Sequence, residues 1–600
     1  MSLRVLRIAL DTQQSLREEL PPAIEQQFLG GRGAAAWLLS SRVSVDVAPT
    51  SASNMLIFSA GPLVGVVASA SGGFIVTTRS PLTGLIAHSW AIGRWGAMLR
   101  RAGIDLLAIE RQSQEWCYIA IEDGNVSIRP ADQLAGLDTY ATAQAVRTEL
   151  GGDWSVVCIG PAGEAGVAYS SIVADGLYPA EPAGTGKVMA NKRVKAIAIR
   201  GSTQLVPADR LRADAVMSGV AKRSATSELA AGIRQYGGSL YYAAAAQERG
   251  LLSGRNGQDG ELAHAQAINR VAMAQRGRRE PRGCEGCVLP CASSYIRRNG
   301  EPMAYPELEA VAGFGAACGI TTPDTIIIAN DLCLRLGLDV TATSAAIAFT
   351  MECQQEGLSR AGTLPWGDGD AVLAAIRRLG QRQEKRDMIS LGVGEIQDVY
   401  YGSGTFAPQV QGMAMPALDP RALPELALTY ASSPIGSDHR YAMSYEGLLA
   451  EPPAWLPDGN HPQAVRGTVP RLIWHERFAA ALDAIGICRR LALMAYQIAP
   501  SEVTELVSAA LGRPFSGVEI AKLGERIVTF ERLLAIHYES DRDGLPHRWT
   551  HDPLESGPAL GKLPAIDELL AEYYRRHSWN EQGEPTPARL AELGIDPLTT

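Results

Sequence analysis

The chain has 600 residues and a formal net charge of −9, with 46% hydrophobic and 20% charged residues. It is too long for one hydrophobic core, so we expect about two to four domains. The negative charge and the lack of a basic, aromatic-interleaved run exclude a typical nucleic-acid-binding protein. Nine cysteines, an odd number, do not indicate a disulfide framework and favour a reducing, cytoplasmic location.

The first third of the chain, residues 1–204, is rich in predicted strands. Short apolar runs separated by Gly, Pro, Asn and Asp are typical of strands and turns. These runs are VLRIAL, NMLIFSA, LVGVVA, FIVTT, LLAIE, WCYIAIE, SVVCIG and VKAIAIRG. Residues 54–78 carry no charge but contain Pro62 and four glycines, which predicts buried strands with turns and no membrane span.

Helical periodicity dominates after residue 205. Apolar residues at three- and four-residue spacing predict helices over residues 209–223, 227–236, 258–273, 307–318, 344–356 and 370–382. Another helix is predicted to begin at Thr322, with a threonine cap and Pro323 in the first turn. After a loop-rich stretch, helices are predicted over residues 472–490, 501–511, 517–538 and 564–577. The predicted fold class is α+β, with a β-rich domain (1–204) followed by two mostly α-helical domains (205–412 and 413–600).

Three cysteines lie within eight residues in a basic loop rich in Gly and Pro. Cys284, Cys287 and Cys291 are spaced C-x2-C-x3-C. Thiolates this close repel one another unless a cation holds them, and sulfur ligands suit iron–sulfur clusters or zinc. The pattern therefore predicts a metal site with a further ligand from elsewhere; a surface loop of reduced thiols is the alternative.

Several further motifs follow one another along nearly the whole chain. They are Gly30-Gly31-Arg32-Gly33, NMLI from Asn54, SPLTG from Ser80, AGID from Ala102, IGPAGE from Ile159, KAIA from Lys195, LGLD from Leu336, DPR from Asp419 and DAIGIC from Asp483. Together with the cysteine loop, these stretches resemble the aldehyde:ferredoxin oxidoreductase family of tungsten–pterin enzymes. Their order and spacing agree with that family from about residue 5 to residue 595, which is more specific than any single motif.

The resemblance implies how the domains divide the work. The β-rich domain is expected to form the base for a tungsten- or molybdenum-bis-pterin cofactor, and the two helical domains are expected to cover it. In the family the C-x2-C-x3-C loop and a distant D-x-x-G-x-C motif hold a [4Fe–4S] cluster, which makes Cys488 the expected fourth ligand. Zinc in an all-cysteine site would need the same four thiolates.

Two positions match proposed acid–base residues of the family. Glu309 begins the predicted helix after the cysteine loop, and His439 lies in Ser437-Asp438-His439-Arg440. Oxidation of an aldehyde to an acid needs a proton acceptor, which a carboxylate and an imidazole can provide. The alternative is a solvated first-turn acid and a loop histidine without a catalytic role.

The pterin-binding positions are only partly retained. Leu338, Asp339 and Asp483 match the family pattern. However, residues 71–74 lack the family's arginine, and Glu181-Pro182 stands in place of a basic, Gly-rich loop, which should weaken the binding of pterin phosphates. Two cations occur nearby instead, Arg94 and Lys187. They are either replacement phosphate ligands or unrelated surface charges.

Two functions are compatible with these observations. In the first, the chain oxidises a small aldehyde at the pterin site and passes electrons through the cluster to ferredoxin or a ferredoxin-like subunit. In the second, it is a paralogue with a lost or altered pterin site that serves as a cluster-bearing electron-transfer or structural subunit. The sequence leaves open the substrate, the choice of tungsten or molybdenum, and whether the chain forms a homo- or hetero-oligomer.

Overall fold

The computed structural model of the protein describes residues 2–67, 70–262, 265–298, 300, 302–359, 363–381, 387–449 and 467–596. A first six-stranded sheet is formed by β1 (Arg4–Ala9), β2 (Gln14–Glu19), β3 (Leu56–Ser59), β4 (Phe74–Arg79), β5 (Ile86–Ala91) and β6 (Leu106–Glu110). The strand order is β2-β1-β6-β3-β4-β5. β1 and β6 pair in parallel, and the other neighbours are antiparallel.

A second six-stranded sheet follows in the chain. It consists of β7 (Cys117–Glu122), β8 (Asn125–Pro130), β9 (Ser155–Ile159), β10 (Ile172–Ala174), β11 (Tyr178–Ala180) and β12 (Val194–Arg200). The order is β11-β10-β9-β12-β7-β8, with a parallel pair between β12 and β7. β12 is buried along nearly its whole length, which fits its β-branched and apolar sequence VKAIAIR. Trp90 of β5 and Glu181, just after β11, form a single β-bridge between the sheets.

Six helices accompany these sheets: α1 (Pro22–Phe28), α2 (Gly31–Arg42), α3 (Trp95–Arg101), α4 (Thr139–Leu150), α5 (Pro161–Ala165) and α6 (Thr185–Asn191). α3 inserts Trp95 between two rings of the first sheet. The Trp95 ring centroid lies 5.1 Å from that of Phe58 and 4.9 Å from that of Phe74, and Trp95 is fully buried. This aromatic cluster holds α3 against the sheet near the functional site.

The middle region is mostly helical. Its helices are α7 (Arg210–Thr226), α8 (Glu228–Tyr236), α9 (Ala243–Glu248), α10 (Arg270–Ala274), α11 (Leu308–Ala310), α12 (Pro323–Leu336), α13 (Val340–Gln355), α14 (Gly369–Leu379) and α15 (Val393–Val399). Between α10 and α11 lies an antiparallel sheet of β13 (Gly277–Arg282), β14 (Ala292–Arg297) and β15 (Pro302–Ala304). The cysteine loop joins β13 to β14.

The last region begins after a two-stranded ribbon of β16 (Gln409–Val410) and β17 (Met413–Ala414). Its helices are α16 (Pro424–Ser432), α17 (Thr468–Ile485), α18 (Pro500–Leu511), α19 (Gly517–His537), α20 (His547–His551), α21 (Ile566–His577) and α22 (Pro587–Leu593). α17 packs against α19 and against α2 of the N-terminal region. No helix in the described part of the chain combines the length and apolar character needed to cross a membrane.

The α+β prediction is confirmed, and several local predictions are wrong. One helix is predicted over residues 258–273, but the described residues 258–262 and 265–273 form a turn, a 3₁₀ turn (Ala265–Ile268) and the start of the short α10. Asn269 caps α10 by accepting hydrogen bonds from the Val271 and Ala272 amides. The run LVGVVA forms turns over its described residues 63–67, since the Leu63 amide donates to the Ile485 carbonyl of the last region instead of a strand. Thr322 does precede α12, but its side chain makes no capping hydrogen bond.

A buried ionic network ties the N-terminal region to the last one. Arg32 of α2 donates to both carboxylate oxygens of Glu531 in α19, at 2.6 and 2.5 Å. The Tyr441 hydroxyl donates to the same carboxylate at 3.0 Å, and His88 Nε2 lies 3.0 Å from it. Burial alone would raise the pKa of Glu531, but Arg32 and His88 outweigh it and lower that pKa to about 2.

We expect Glu531→Gln to destabilise the protein by at least about 3 kcal/mol, because it leaves the buried Arg32 charge without its main partner. The folded-state pKa of Glu531 lies below its ordinary 4.5. The stabilisation is therefore fully present above pH 4.5 and is lost as the pH falls towards 2. Urea denaturation followed by circular dichroism at pH 7 and pH 3 measures both effects. Asp214→Asn, in the exposed Arg210–Asp214 pair, is the control with an unchanged midpoint; equal midpoints for the two variants would contradict the expectation.

Candidate active site and cysteine centre

A central cavity lies where the two N-terminal sheets, the hairpin sheet and the last region meet. Its volume is about 1080 Å³, including the solvent-open mouth, and Trp90, Glu181, Glu309, Leu338, Arg440 and Tyr445 are among the residues that line it. These residues come from β5, the segment after β11, α11, the start of α13 and the chain after α16. Every region of the chain thus contributes to one cavity, which is the usual setting for an active site.

The structure brings His439 to Glu309, which lines this cavity. His439 Nε2 lies 3.1 Å from Glu309 Oε1, and both side chains are largely buried. Burial raises the pKa of Glu309, but His439 and Arg440 outweigh it and lower that pKa to about 2. Since the carboxyl group is ionised, the imidazole donates this hydrogen bond through Nε2–H.

Local structure fixes the orientation of this pair. Asp438 accepts a hydrogen bond from the Arg440 amide at 3.0 Å, which closes a tight turn around His439. Ser239 donates to Glu309 Oε2 at 3.0 Å. Glu309 lies in the short α11, which continues directly into a π-helical segment, Val311–Ala317. Such wide helical turns occur often at functional sites.

A second carboxyl group in the cavity was not predicted as a functional residue. Glu181 Oε1 accepts a hydrogen bond from the Val340 amide at 3.3 Å, and Arg440 Nη1 lies 3.6 Å from Glu181 Oε2. Burial and the neighbouring Asp339 raise the pKa of Glu181 to about 8, so this group carries a proton at neutral pH. The replacement of a basic loop by Glu181-Pro182 is visible in the sequence. It predicts the loss of a cation, but not a protonated carboxyl group in the cavity.

The four predicted cluster cysteines lie in one group. Cys284, Cys287 and Cys291 occupy the β13–β14 loop, and Cys488 follows α17. Burial and the neighbouring Cys488, Cys291 and Cys287 raise the pKa of Cys284, which indicates that the four sulfurs interact. Burial likewise raises the pKa of Cys291 and of Cys488 to about 11. Thiols gathered in this way are neutral unless a cation compensates their charge.

Two kinds of metal group take four cysteine ligands. A single zinc ion binds four thiolates at about 2.3 Å from one point. In a [4Fe–4S] cluster each of the four cysteines binds a different iron. Among the described residues, no three His, Cys, Asp or Glu side chains form a group tight enough to hold one ion. The prediction of a cluster at this site therefore rests on the resemblance of the cysteine motifs.

The N-terminal region forms the floor beneath the cysteine group. The Gly93 amide donates to Cys284 Sγ at 3.3 Å, and the Cys488 amide donates to the Ala70 carbonyl at 2.5 Å. A Cβ atom on Gly72 would lie 2.6 Å from Cys284 Sγ, closer than any side chain tolerates. Glycine at position 72 therefore lets the cysteine loop approach the first sheet.

Trp90 lies between the cavity and the cysteine group. Trp90 lines the central cavity and also a smaller one that Asp483 and Cys488 line. The Arg489 guanidinium stands 5.2 Å from the centroid of this ring. The aromatic side chain thus forms a shared wall between the two sites.

The predicted pterin-binding residues lie at different places in the structure, and only some of them are at the central cavity. Leu338 lines the cavity, and Asp339 caps α13 by accepting from the Ala342 amide at 2.8 Å. Asp483 pairs with Arg489 at 3.0 Å in the smaller cavity. Arg94 pairs with Asp153 at 2.5 Å. Lys187 lines a separate open pocket.

Neither Arg94 nor Lys187 is therefore brought to the central cavity. Among the described residues, the arginines that line it are Arg440 and Arg490. Arg490 donates to Glu307 Oε1 at 2.5 Å. Sequence reasoning missed both, although the Arg489-Arg490 pair directly after Cys488 is a signal that could have found one of them.

Family models match almost the whole chain. The model described as the N-terminal domain of aldehyde ferredoxin oxidoreductase matches residues 5–201, and the model of its domains 2 and 3 matches residues 215–595. This chain belongs to the aldehyde ferredoxin oxidoreductase family. It is accordingly an oxidoreductase, and the family's cofactor is a tungsten–pterin group.

Individual relatives agree with this assignment. The chain is 31% identical over 604 residues to a tungsten-containing aldehyde ferredoxin oxidoreductase of Thermococcus kodakarensis, covering 99% of this chain and 98% of the relative. A Pyrococcus furiosus protein of the same name is also 31% identical, with the same coverage. A more divergent relative, at 24% identity over 99% of this chain and 96% of its own, is the WOR-like subunit of an aliphatic sulfonate oxidoreductase from Pyrococcus furiosus.

A solved structure shares the fold of this oxidoreductase. The active-site complex BamBC of benzoyl coenzyme A reductase, in complex with 1,5-dienoyl-CoA, superposes with a TM-score of 0.84 and 22% sequence identity. The match covers 100% of this chain and 98% of the other. At this identity the likeness establishes the architecture alone.

Proposed function

We propose that this protein oxidises an aldehyde to the carboxylic acid at a tungsten- or molybdenum-bis-pterin site. Cys284, Cys287, Cys291 and Cys488 would hold a [4Fe–4S] cluster, which would carry the electrons to ferredoxin or a ferredoxin-like subunit. The observation that carries this proposal is the buried Glu309–His439 pair, in which Glu309 faces the central cavity. Trp90, in the wall of that cavity, also lines the smaller cavity beside Cys488.

The residues around the cavity fit a bulky, polar, anionic ligand such as a pterin phosphate. The cavity opens to solvent, and charged and aromatic side chains such as Arg440, Arg490 and Tyr445 line it. The Tyr305 hydroxyl lines the cavity and is buried without a hydrogen-bond partner among the described residues. Arg440 and Arg490 would bind phosphate, and Leu338 would contact the ring system. When bound, the cofactor would supply the two-electron redox centre.

The acid–base chemistry falls to side chains of this protein. An aldehyde and water yield a carboxylic acid, two electrons and two protons. The ionised Glu309 accepts a proton, while His439 Nε2–H donates to the carboxylate and holds it in place. Ser239 fixes the second carboxylate oxygen, so that Glu309 has little rotational freedom.

The electron acceptor is a carrier protein in this proposal. A divergent relative is named as a subunit, which supports a stable partner subunit as one form of that carrier. Glu181 supports the second hypothesis, a paralogue with an altered pterin site. It places a carboxyl group and Pro182 where a basic loop would attract phosphate, and Pro182 has no backbone N–H to donate to a phosphate.

Metal analysis of anaerobically purified protein separates the two hypotheses. For the working enzyme we expect about four iron atoms per chain and tungsten or molybdenum near one per chain, with extractable pterin. Iron alone, without tungsten, molybdenum or pterin, would contradict the enzyme proposal and support the electron-transfer subunit. Mass spectrometry of the extract identifies the pterin independently of any assay with an aldehyde.

A further inference from the structure

We propose that the β13–β14 hairpin is the docking surface for a small acidic one-electron carrier protein. The inference rests on the proposed function, because it takes the cysteine loop to be the point where electrons leave. It adds the surface and the charge of the partner.

The hairpin is strongly basic in an acidic protein. Residues 276–298 contain six arginines and two glutamates, a formal net charge of +4, whereas the whole chain carries −9. The arginines are Arg276, Arg278, Arg279, Arg282, Arg297 and Arg298. Charge of one sign concentrated beside a redox site is a feature that steers an oppositely charged partner.

The acids on this surface do not cancel its charge. Arg278 and Arg282 both donate to the single Glu280, at 2.7 and 3.1 Å. Glu285 is paired with Arg101 of α3 at 3.0 Å, which extends the basic surface onto the N-terminal region. Even with Asp324, 3.6 Å from Arg276, the arginines outnumber the acids.

The exposed arginines face solvent next to the cysteine loop. The side chains of Arg278 and Arg282 are 73% and 48% exposed, and Arg298 is exposed as well. Arg278, Glu280 and Arg282 alternate onto one face of β13. Arg279, on the other face, is half-buried and donates to Ser293. The positive side chains therefore form one accessible face.

The loop itself orients the cysteine group towards this surface. Cys284 and Cys287 are half-buried, and Glu285 and Gly286 between them are exposed, whereas Cys488 is buried on the inner side. A cluster held here would lie close to solvent at the hairpin and close to Trp90 on the other side. Electrons that leave a cluster at this position would therefore have a short path to solvent at the hairpin.

The stoichiometry requires a carrier that binds and leaves quickly. Oxidation of one aldehyde with one water releases two electrons and two protons, and a one-electron carrier takes them in two successive encounters. Each encounter must end in dissociation, so a small, charge-steered contact suits the task better than a large apolar one. An acidic ferredoxin has the required charge and the required one-electron chemistry.

The test compares two double charge reversals of the full-length protein. R278E/R298E reverses two arginines of the hairpin, and R210E/R377E makes the same charge change at exposed positions on α7 and α14. Binding of a purified acidic ferredoxin, measured without aldehyde over a range of ionic strengths, reports docking independently of turnover. Reduction of methyl viologen by aldehyde reports the proposed function without docking.

We expect ferredoxin binding to weaken with salt and to fall at least about 10-fold in R278E/R298E at low ionic strength, with little change in R210E/R377E. Iron content and viologen reduction should be equal in all three proteins. Equal ferredoxin affinity in the two double variants, or binding that does not depend on salt, would overturn the docking proposal. Loss of viologen reduction in the unmodified protein would instead count against the proposed function alone, since binding still decides the docking surface.

Discussion

Cys488→Ala should strip the protein of most of its iron and abolish electron transfer to a protein acceptor. A [4Fe–4S] cluster needs four thiolates, and the loop between β13 and β14 supplies only three. Iron should fall well below about four atoms per chain, and the broad visible absorbance of the cluster should bleach. Because removal of a residue behind a metal ligand alone costs 10–100-fold, loss of the ligand itself should cost at least about 100-fold in activity.

Cys318→Ala is the matched control for this variant. Cys318 is also a buried thiol, but its Sγ lies 3.6 Å from the Ser344 carbonyl in the helical core, away from the cysteine group. Iron content and absorbance should be those of the unmodified protein. A Cys488→Ala protein with a full complement of iron and an unchanged spectrum would show that Cys488 is no ligand.

The cysteine centre also shows how far sequence reasoning reaches. The spacing of Cys284, Cys287 and Cys291 predicts a metal site from the sequence alone, and the D-x-x-G-x-C resemblance points to Cys488. Their floor could not be predicted, because the contact of Gly72 with Cys284 joins segments about two hundred residues apart. A glycine in a turn carries the same local signal whether it faces solvent or another domain.

The secondary structure shows the same difference between features set by local sequence and features set by distant contacts. The helix predicted over residues 517–538 is observed as α19, Gly517–His537, because Ser516 and Glu519 form a capping box and periodicity is uninterrupted. Residues 258–273 have helical periodicity too, yet tertiary contacts override it. Just before this range, the Asn256 side chain donates to Glu352 at 2.6 Å and to the Phe406 carbonyl. These contacts hold residues 255–258 in a turn.

The charges of the cavity were the least predictable feature. Arg94 and Lys187 are near the pterin motifs in sequence, but Arg94 points outward to Asp153. Arg440 follows His439 in the motif that predicts an acid–base residue, but the motif itself does not indicate a role for the arginine. That role depends on a contact with Glu181, more than 250 residues away. Which side of a short segment faces a cavity is a property of the packed fold and not of local sequence.

Glu309→Gln should lower kcat by about 10²- to 10⁴-fold, because the amide keeps the shape of the side chain and cannot accept the proton. KM for the aldehyde should change little, and the iron content and visible spectrum should stay unchanged, since Glu309 is not one of the four predicted cluster ligands. Steady-state kinetics with a viologen acceptor measures kcat and KM without a carrier protein. Glu122→Gln, at the exposed end of β7 where Glu122 pairs with Arg200, is the control and should retain full activity.

The pH profile distinguishes a proton acceptor from a merely structural carboxylate. His439 and Arg440 outweigh burial and hold the pKa of Glu309 at about 2, so its protonation should not slow the reaction anywhere above about pH 4. Glu181 faces the same cavity with a pKa of about 8, and a change of rate near that pH would belong to it. E309Q should therefore lower the whole profile. Because the Glu309 charge helps to raise the pKa of Glu181, any change of rate near pH 8 should move to lower pH in this variant. An E309Q protein that retains full activity, or that loses activity together with its iron, would show that Glu309 is not the proton acceptor.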